Sequence, residues 1–154
     1  MIKNVTISAE KGIKANKPLI HRVIGLLREK LGFTIESLTI DFLDSASIKE
    51  VNIKYLGHNY STDIITFNYS GSVEELDGEI IISAGDALTN SKKYKCTLDS
   101  EILRLIIHGI LHMIGFDDQD KSSRAIMKKH ENKLTKELDH LLIEKILIYD
   151  GKNS

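Results

Sequence analysis

The chain has 154 residues, 42% of them hydrophobic and 28% charged, which gives one domain with a sizeable core and excludes a disordered tail protein. A formal net charge of −1 excludes a protein that coats nucleic acid with a diffuse basic surface, so any phosphate contact must come from a local patch. A single cysteine, Cys96, excludes a disulfide framework and a Cys-rich zinc finger. No apolar run reaches the roughly 18 residues of a membrane span. Met1–Ile7 has neither the apolar stretch nor the cleavage site of a signal peptide, so a compact cytoplasmic domain, 1–154, is expected.

Val5 and Ile7 alternate with polar residues and read as a short first strand. Pro18 stands where a helix can begin. Leu19, Val23, Leu26, Leu27 and Leu31 follow at helical spacing, and Gly32 closes the run. Leu38, Ile40 and Phe42 alternate as a half-buried strand does, and Asp44 or Ser45 can cap a helix carrying Ile48, Val51, Ile53 and Tyr55 to Gly57. Residues 62–69 and 79–83 are rich in β-branched and aromatic side chains and read as strands, with Ser70-Gly71-Ser72 opening the connection. Helices are expected from about Gly85 to Tyr94, from Leu98 to Ile114 and from Ser122. Periodicity leaves Leu141–Ile148 open between helix and strand. The order predicts an α+β fold: a small mixed β-sheet covered by helices, with the Leu98–Ile114 helix buried at its centre.

That helix carries the chemistry. From Ile102 to Ile114 it is apolar nearly all round, interrupted by His108 and His112. Four residues apart, the two imidazoles lie on one helix face, and a divalent metal would satisfy both at once. With 6 His in the chain, a chance pair at this spacing is expected roughly 0.2 times, so the pair alone is weak. Gly115 strengthens it: three residues after His112 it can end the helix in a left-handed turn, letting the chain double back with Asp118 or Asp117 over the histidine face. Two imidazoles and a carboxylate would leave positions open to water or substrate, the character of a catalytic site rather than a structural one.

The run His108-Gly109-Ile110-Leu111-His112-Met113-Ile114-Gly115-Phe116-Asp117-Asp118 has the ligand spacing of metzincin proteases, but Gly109 stands where those carry their general-base Glu. It resembles instead the signature of the YbeY family, bacterial metal-dependent endoribonucleases of rRNA maturation. Two further stretches are similar to that family's motifs: Val51–Phe67, matching Leu-Asn-x-x-Tyr-Arg-Gly…Thr-Asp-Val-Leu-Ser-Phe, and Gly78-Glu79-Ile80, matching Gly-Asp-Ile. The resemblance implies a YbeY-like, distantly metzincin-like fold. It also implies a single-strand-specific endoribonuclease acting in small-subunit rRNA 3′-end maturation and ribosome quality control. Implied with it are one zinc or other divalent ion, rRNA and the ribosomal small subunit as partners, and neither membrane nor DNA.

Two departures bear on the site. The family's third ligand is His, where this chain has Asp118; a carboxylate is an ordinary zinc ligand, so His108, His112 and Asp118 remain the expected set. The family's Arg after Tyr is Leu56 here, which removes a phosphate clamp. His58 could stand in for it as a donor. Arg104, one turn before His108, could supply charge, or could simply pair with Glu101 on the helix surface.

Asp63 and Asp117 are candidates to orient a metal ligand or meet substrate, against the simpler reading of turn-capping acids. Lys92, Lys93 and Lys95 before the metal helix, and Arg124, Lys128 and Lys129 after it, could meet RNA or form solvated faces. His21, His130 and His140 are expected to be structural and Cys96 a small buried hydrophobe. Ile126, Leu134, Leu138, Leu141 and Leu142 form an expected core stripe. No residue stands in the usual general-base position, and the sequence does not choose between an activated water and the substrate's 2′-OH as nucleophile. Two other readings compete: a non-catalytic ribosome-assembly factor with a structural metal, and a metal hydrolase of another substrate such as a peptide, which Gly109 weakens.

Overall fold

The computed structural model describes residues 1–150; the expected boundary at 154 lies outside the described residues. Strand β1 (Val5–Ala9) leads through the two-residue β2 (Lys14–Ala15) into helix α1 (Lys17–Leu31), and strand β3 (Thr34–Leu43) follows. The start of α1 is fixed by Asn16, whose side chain accepts from the Leu19 amide, and by Pro18 in the first turn; Gly32, with φ 76°, ends it in the left-handed conformation. Helix α2 (Ser45–Val51) is capped by Asp44, which accepts from the Ser47 amide, and runs into a π-helical turn, Asn52–Leu56, closed by Gly57. Strands β4 (Ile64–Asn68) and β5 (Glu75–Ser83) precede three helices, α3 (Ala84–Lys93), α4 (Leu98–Met113) and α5 (Lys121–Leu138). A 3₁₀ turn, Asp139–Ile143, leads to the two-residue β6 (Leu147–Ile148).

The main sheet has the order β1-β3-β5-β4, with β1, β3 and β5 parallel and β4 antiparallel at the edge. It is the small mixed sheet expected. Leu38, Ile40, Phe42, Ile80 and Ile82 face one core, which they share with α1, α3 and α4. The other face carries only a small cluster, Ile48, Ile65 and Ile81, under α2. Helix α4 is central, with Ile102, Leu103, Ile106, Ile107, Ile110 and Leu111 all fully buried. At about 1.5–3 kcal/mol per buried side chain, this one helix anchors the fold more firmly than any surface interaction can.

Two glycines explain how closely α4 approaches the sheet. A Cβ on Gly109 would lie 3.0 Å from one Ile80 methyl and 3.2 Å from Ile64. A side chain there would press on Ile80, which is fully buried, and on Ile64, so the packing disfavours a protease-type base at this position. Gly78, in β5, is tighter still, with the Phe67 carbonyl oxygen 2.1 Å and the Met113 Cε 2.6 Å from where a Cβ would stand.

The ambiguous C-terminal segment resolves into the 3₁₀ turn followed by β6, which pairs antiparallel with β2. Asp99 secures it, its Oδ1 accepting from the Ile146 amide at 2.8 Å. Of the expected stripe, Leu134, Leu138 and Leu141 are buried and Leu142 packs against them, but Ile126 is 54% exposed and Met127 takes the inward position. His21 is buried and accepts from the Ile2 amide, while His130 packs on Phe116 with ring centroids 4.7 Å apart. Cys96 is exposed, which corrects the expectation of a buried hydrophobe: it follows Lys95, a left-handed residue (φ 57°), in the tight turn between α3 and α4.

On the more open sheet face, burial and the neighbouring Glu79 carboxyl push Asp41 up to about 7. The unfolded chain ionises this group near its ordinary value of 3.8, so folding becomes less favourable as pH rises from about 4 to 7. Asp41→Asn copies the protonated form and is expected to stabilise the fold by roughly 1 kcal/mol at pH 8, with little effect at pH 4. Urea unfolding of both proteins at the two pH values checks this.

Candidate active site

The polar side chains meet in a cavity of about 540 Å³ between α3, α4, α5 and the residues leading into β4. Asp63 precedes β4, Asn90 comes from α3, and Glu101, Arg104 and His108 come from successive turns of α4. Asp118 comes from the loop after α4, and Arg124, Lys128 and Glu131 from α5.

The loop reaches back over α4 by the turn expected from Gly115. Its φ is 107°, its amide donates to the His112 carbonyl, and the Phe116 amide donates to the Leu111 carbonyl at 3.0 Å. This paired closure of a helix end turns the chain sharply. It carries Asp118 to His108, with Oδ2 3.8 Å from Nε2. Asp117 points elsewhere: it is exposed and accepts from the Gln119 amide. Of the two acids, Asp118 is the one that faces a histidine.

His108 is held from behind. Its Nδ1 is 2.9 Å from Glu131 Oε2, and the other oxygen of Glu131 accepts from Arg104 Nη1 at 2.8 Å. Arg104 also donates to Asn132 Oδ1 at 2.8 Å; its ion pair is with Glu131, and Glu101 only feels its charge. The Glu131 hydrogen bond raises the His108 pKa above 6.5 against the opposing effect of burial, with the charges of Glu131, Asp118 and Asp63 adding to it. Burial alone would raise Glu131, but the hydrogen bonds from His108 and Arg104 outweigh it and hold the carboxylate ionised.

Asp63 and Glu101 form the acidic back of the cavity. Asn90 Nδ2 donates to Asp63 at 3.1 Å and lies 3.4 Å from Glu101. Burial pushes both carboxyls above their ordinary range, only partly offset at Asp63 by His108 and at Glu101 by the Asn90 hydrogen bond. Asp63 thus stands inside the cavity, beyond the turn-capping role its sequence position allows.

The remaining candidates lie outside it. His112 is exposed one turn beyond His108, and His58 stacks on Tyr60 with centroids 5.2 Å apart, its Nδ1 3.0 Å from the Tyr60 hydroxyl. Neither lines the cavity, nor does Leu56. Among the described residues no group of three or more His, Cys, Asp or Glu side chains stands together as a metal cluster. The donor chemistry nonetheless fits a divalent ion at His108. A carboxylate fixes one ring nitrogen, the usual support of a metal-ligating histidine, and the other nitrogen faces a second carboxylate.

Nothing in the sequence marks Glu131 or Asn90, and Glu101 stands out there only as a possible surface partner of Arg104. Glu131 lies 23 residues beyond His108 in a charged amphipathic helix, where no spacing marks it. Asn52 was visible only within a motif; it is 1% exposed and donates to the Tyr60 carbonyl at 2.8 Å, fixing the loop that leads to Asp63.

A half-buried histidine braced by a carboxylate, beside a second carboxylate in an open polar cavity on a small mixed sheet, is the kind of arrangement found in hydrolase centres. The comparisons with known proteins narrow this class. Residues 2–139 match the family model described as Endoribonuclease YbeY. An Endoribonuclease YbeY of Chlorobium phaeobacteroides (strain BS1) is 36% identical over 122 residues, covering 79% of this chain and 88% of the relative. One from Bacteroides thetaiotaomicron is 44% identical over 92 residues, 60% of this chain and 66% of the relative. In fold, the chain is similar to the solution structure of TM1509 from Thermotoga maritima, with a TM-score of 0.64 and 24% identity over 87% of this chain and 88% of that one. The chain belongs to the YbeY family.

Proposed function

We propose that this chain is a metal-dependent endoribonuclease that cuts single-stranded RNA, acting in small-subunit rRNA 3′-end maturation and ribosome quality control in the cytoplasm. The observation that carries the reading is the His108 arrangement, with Glu131 behind the ring and Asp118 in front of it in an open cavity. Membership of a family described as endoribonucleases supports the choice of RNA. No helix among the described residues is long and apolar enough to cross a membrane.

His108 and Asp118 would hold the ion, with His112, exposed one turn along the same helix, as the third donor on the ion's open side, and zinc is favoured by an N/O donor set. When bound, such an ion polarises a phosphate oxygen and lowers the pKa of water. Glu131 keeps the His108 ring oriented and its outward nitrogen available, and Arg104 keeps Glu131 ionised. Asp63, which lines the cavity and which burial makes protonatable nearer neutrality than an ordinary carboxyl, would accept a proton from the attacking hydroxyl or return one to the leaving oxygen. Gly109 disfavours a protease reading, since it supplies no general-base carboxylate beside His108 on the helix and a larger residue would crowd Ile80.

The test is cleavage by the purified chain of an unstructured RNA, its DNA counterpart and casein. RNA alone should be cut, and His112→Ala should abolish cutting. His112→Ala acting at the wild-type rate would contradict the reading. Ribosome binding that survives in a chain unable to cut RNA would favour an assembly factor instead.

A further inference from the structure

The cavity is acidic at its back, with Asp63, Glu101, Asp118 and Glu131, yet an RNA substrate brings negative phosphates into it. Arg104 does not meet that need, because Glu131 engages its guanidinium at 2.8 Å. Leu56 does not either, being apolar and outside the cavity. The remaining positive charge comes from α5. Arg124 and Lys128 are four residues apart, with Glu131 three further on, so all three share one helix face and line the cavity with His108 and Asp118.

Both cations are exposed, and among the described residues neither makes a salt bridge. Arg124 Nη1 donates only to the backbone carbonyls of Asp118 and Gln119, each at 3.3 Å. The acid nearest it in sequence, Asp120, directs its hydrogen bonds to the Ser123 amide and hydroxyl as the cap of α5 and feels the Arg124 charge without an ion-pair contact. Lys129, next along the helix, does not line the cavity.

We propose that Arg124 and Lys128 form a phosphate-binding rim that holds the phosphodiester backbone of single-stranded RNA across the His108–Asp118 pair. The inference rests on the ribonuclease reading and adds to it the residues that grip the strand. Arg124 offers a planar fork and Lys128 a mobile point charge, a combination suited to adjacent phosphates.

The test measures binding of a short unstructured RNA by the full chain across a range of salt concentrations. The proteins compared are wild type, Arg124→Gln, Lys128→Gln, Lys128→Arg and Lys129→Gln. Arg124→Gln and Lys128→Gln should each raise Kd roughly tenfold, as expected for loss of a charge-assisted contact. Each should also lower the slope of log Kd against log salt by about 0.7, the value for one phosphate contact on a single strand. Lys128→Arg should keep the wild-type slope, and Lys129→Gln should change neither quantity. Because Arg124 also braces the Asp118 loop, Lys128→Gln decides the matter. If it is indistinguishable from Lys129→Gln while wild type binds RNA, the rim assignment falls and the ribonuclease reading stands. A wild-type chain that neither binds nor cuts RNA overturns both.

Discussion

Replacing His108 with alanine is expected to reduce RNA cleavage by about a thousandfold or more, with the fold retained. The side chain turns Nε2 toward Asp118 in the cavity and is part exposed, so its loss opens no core cavity. Glu131 keeps its Arg104 partner when the imidazole is removed and is not stranded as a lone buried charge. Glu131→Gln should act through the ring instead, costing roughly 10–100-fold, the usual effect of losing a ligand's supporting partner.

The pH profile separates the two roles. The His108 pKa is raised above 6.5, chiefly by Glu131, so the ring gains a proton, and loses its ability to hold an ion, as pH falls through that raised value. Zinc uptake by the metal-free chain should therefore weaken as pH falls through that raised value, and Glu131→Gln should move the weakening to lower pH. In metal-free protein the same shift adds stability that is fully present below pH 6.5 and lost as pH rises through the raised value. Zinc binding by the metal-free chain between pH 5 and 9 checks the first statement, and urea unfolding in chelator checks the second.

Gly78→Ala should be the most damaging small substitution in the sheet. Its Cβ would sit 2.1 Å from the Phe67 carbonyl oxygen, a backbone atom of the neighbouring strand, and 2.6 Å from Met113 Cε. The carbonyl cannot turn away without breaking the β4–β5 ladder, where Gly78 faces Asn68. A cost of about 3 kcal/mol is expected, at the upper end for overpacking. For a domain of this size that lowers Tm by roughly 10 °C. Met113 follows His112 directly, so the displacement should also disturb the end of α4 and weaken activity in the folded fraction. Calorimetry beside Gly85→Ala, whose Cβ would meet mainly a serine side chain, distinguishes a backbone clash from general glycine loss.

What could be read from the sequence follows the range of the interactions involved. Helix ends were visible because their signals are local: Asp44, Gly32 and Gly115 each act within a few residues and do so here. The central helix was visible because an unbroken apolar run has few other places to go. The pairing of Lys14–Ala15 with Leu147–Ile148 was not, since two residues carry no periodicity and their partners lie far along the chain. The first half of β5, Glu75–Gly78, was hidden by its polar composition and by a glycine whose purpose is steric. At the site, the spacing brought out His108, His112 and Asp118, and the structure places Asp118 against His108. The Glu131 brace and the Asp63–Asn90–Glu101 wall arise from tertiary packing, where sequence offers no register.

The most direct test of the account is cleavage of unstructured RNA by wild-type protein after dialysis against a chelator, with elemental analysis of the same sample. Cleavage should be lost with the metal and should return on adding about one zinc ion per chain to wild type but not to His108→Ala. Undiminished cleavage by a chain shown to hold no metal would contradict it.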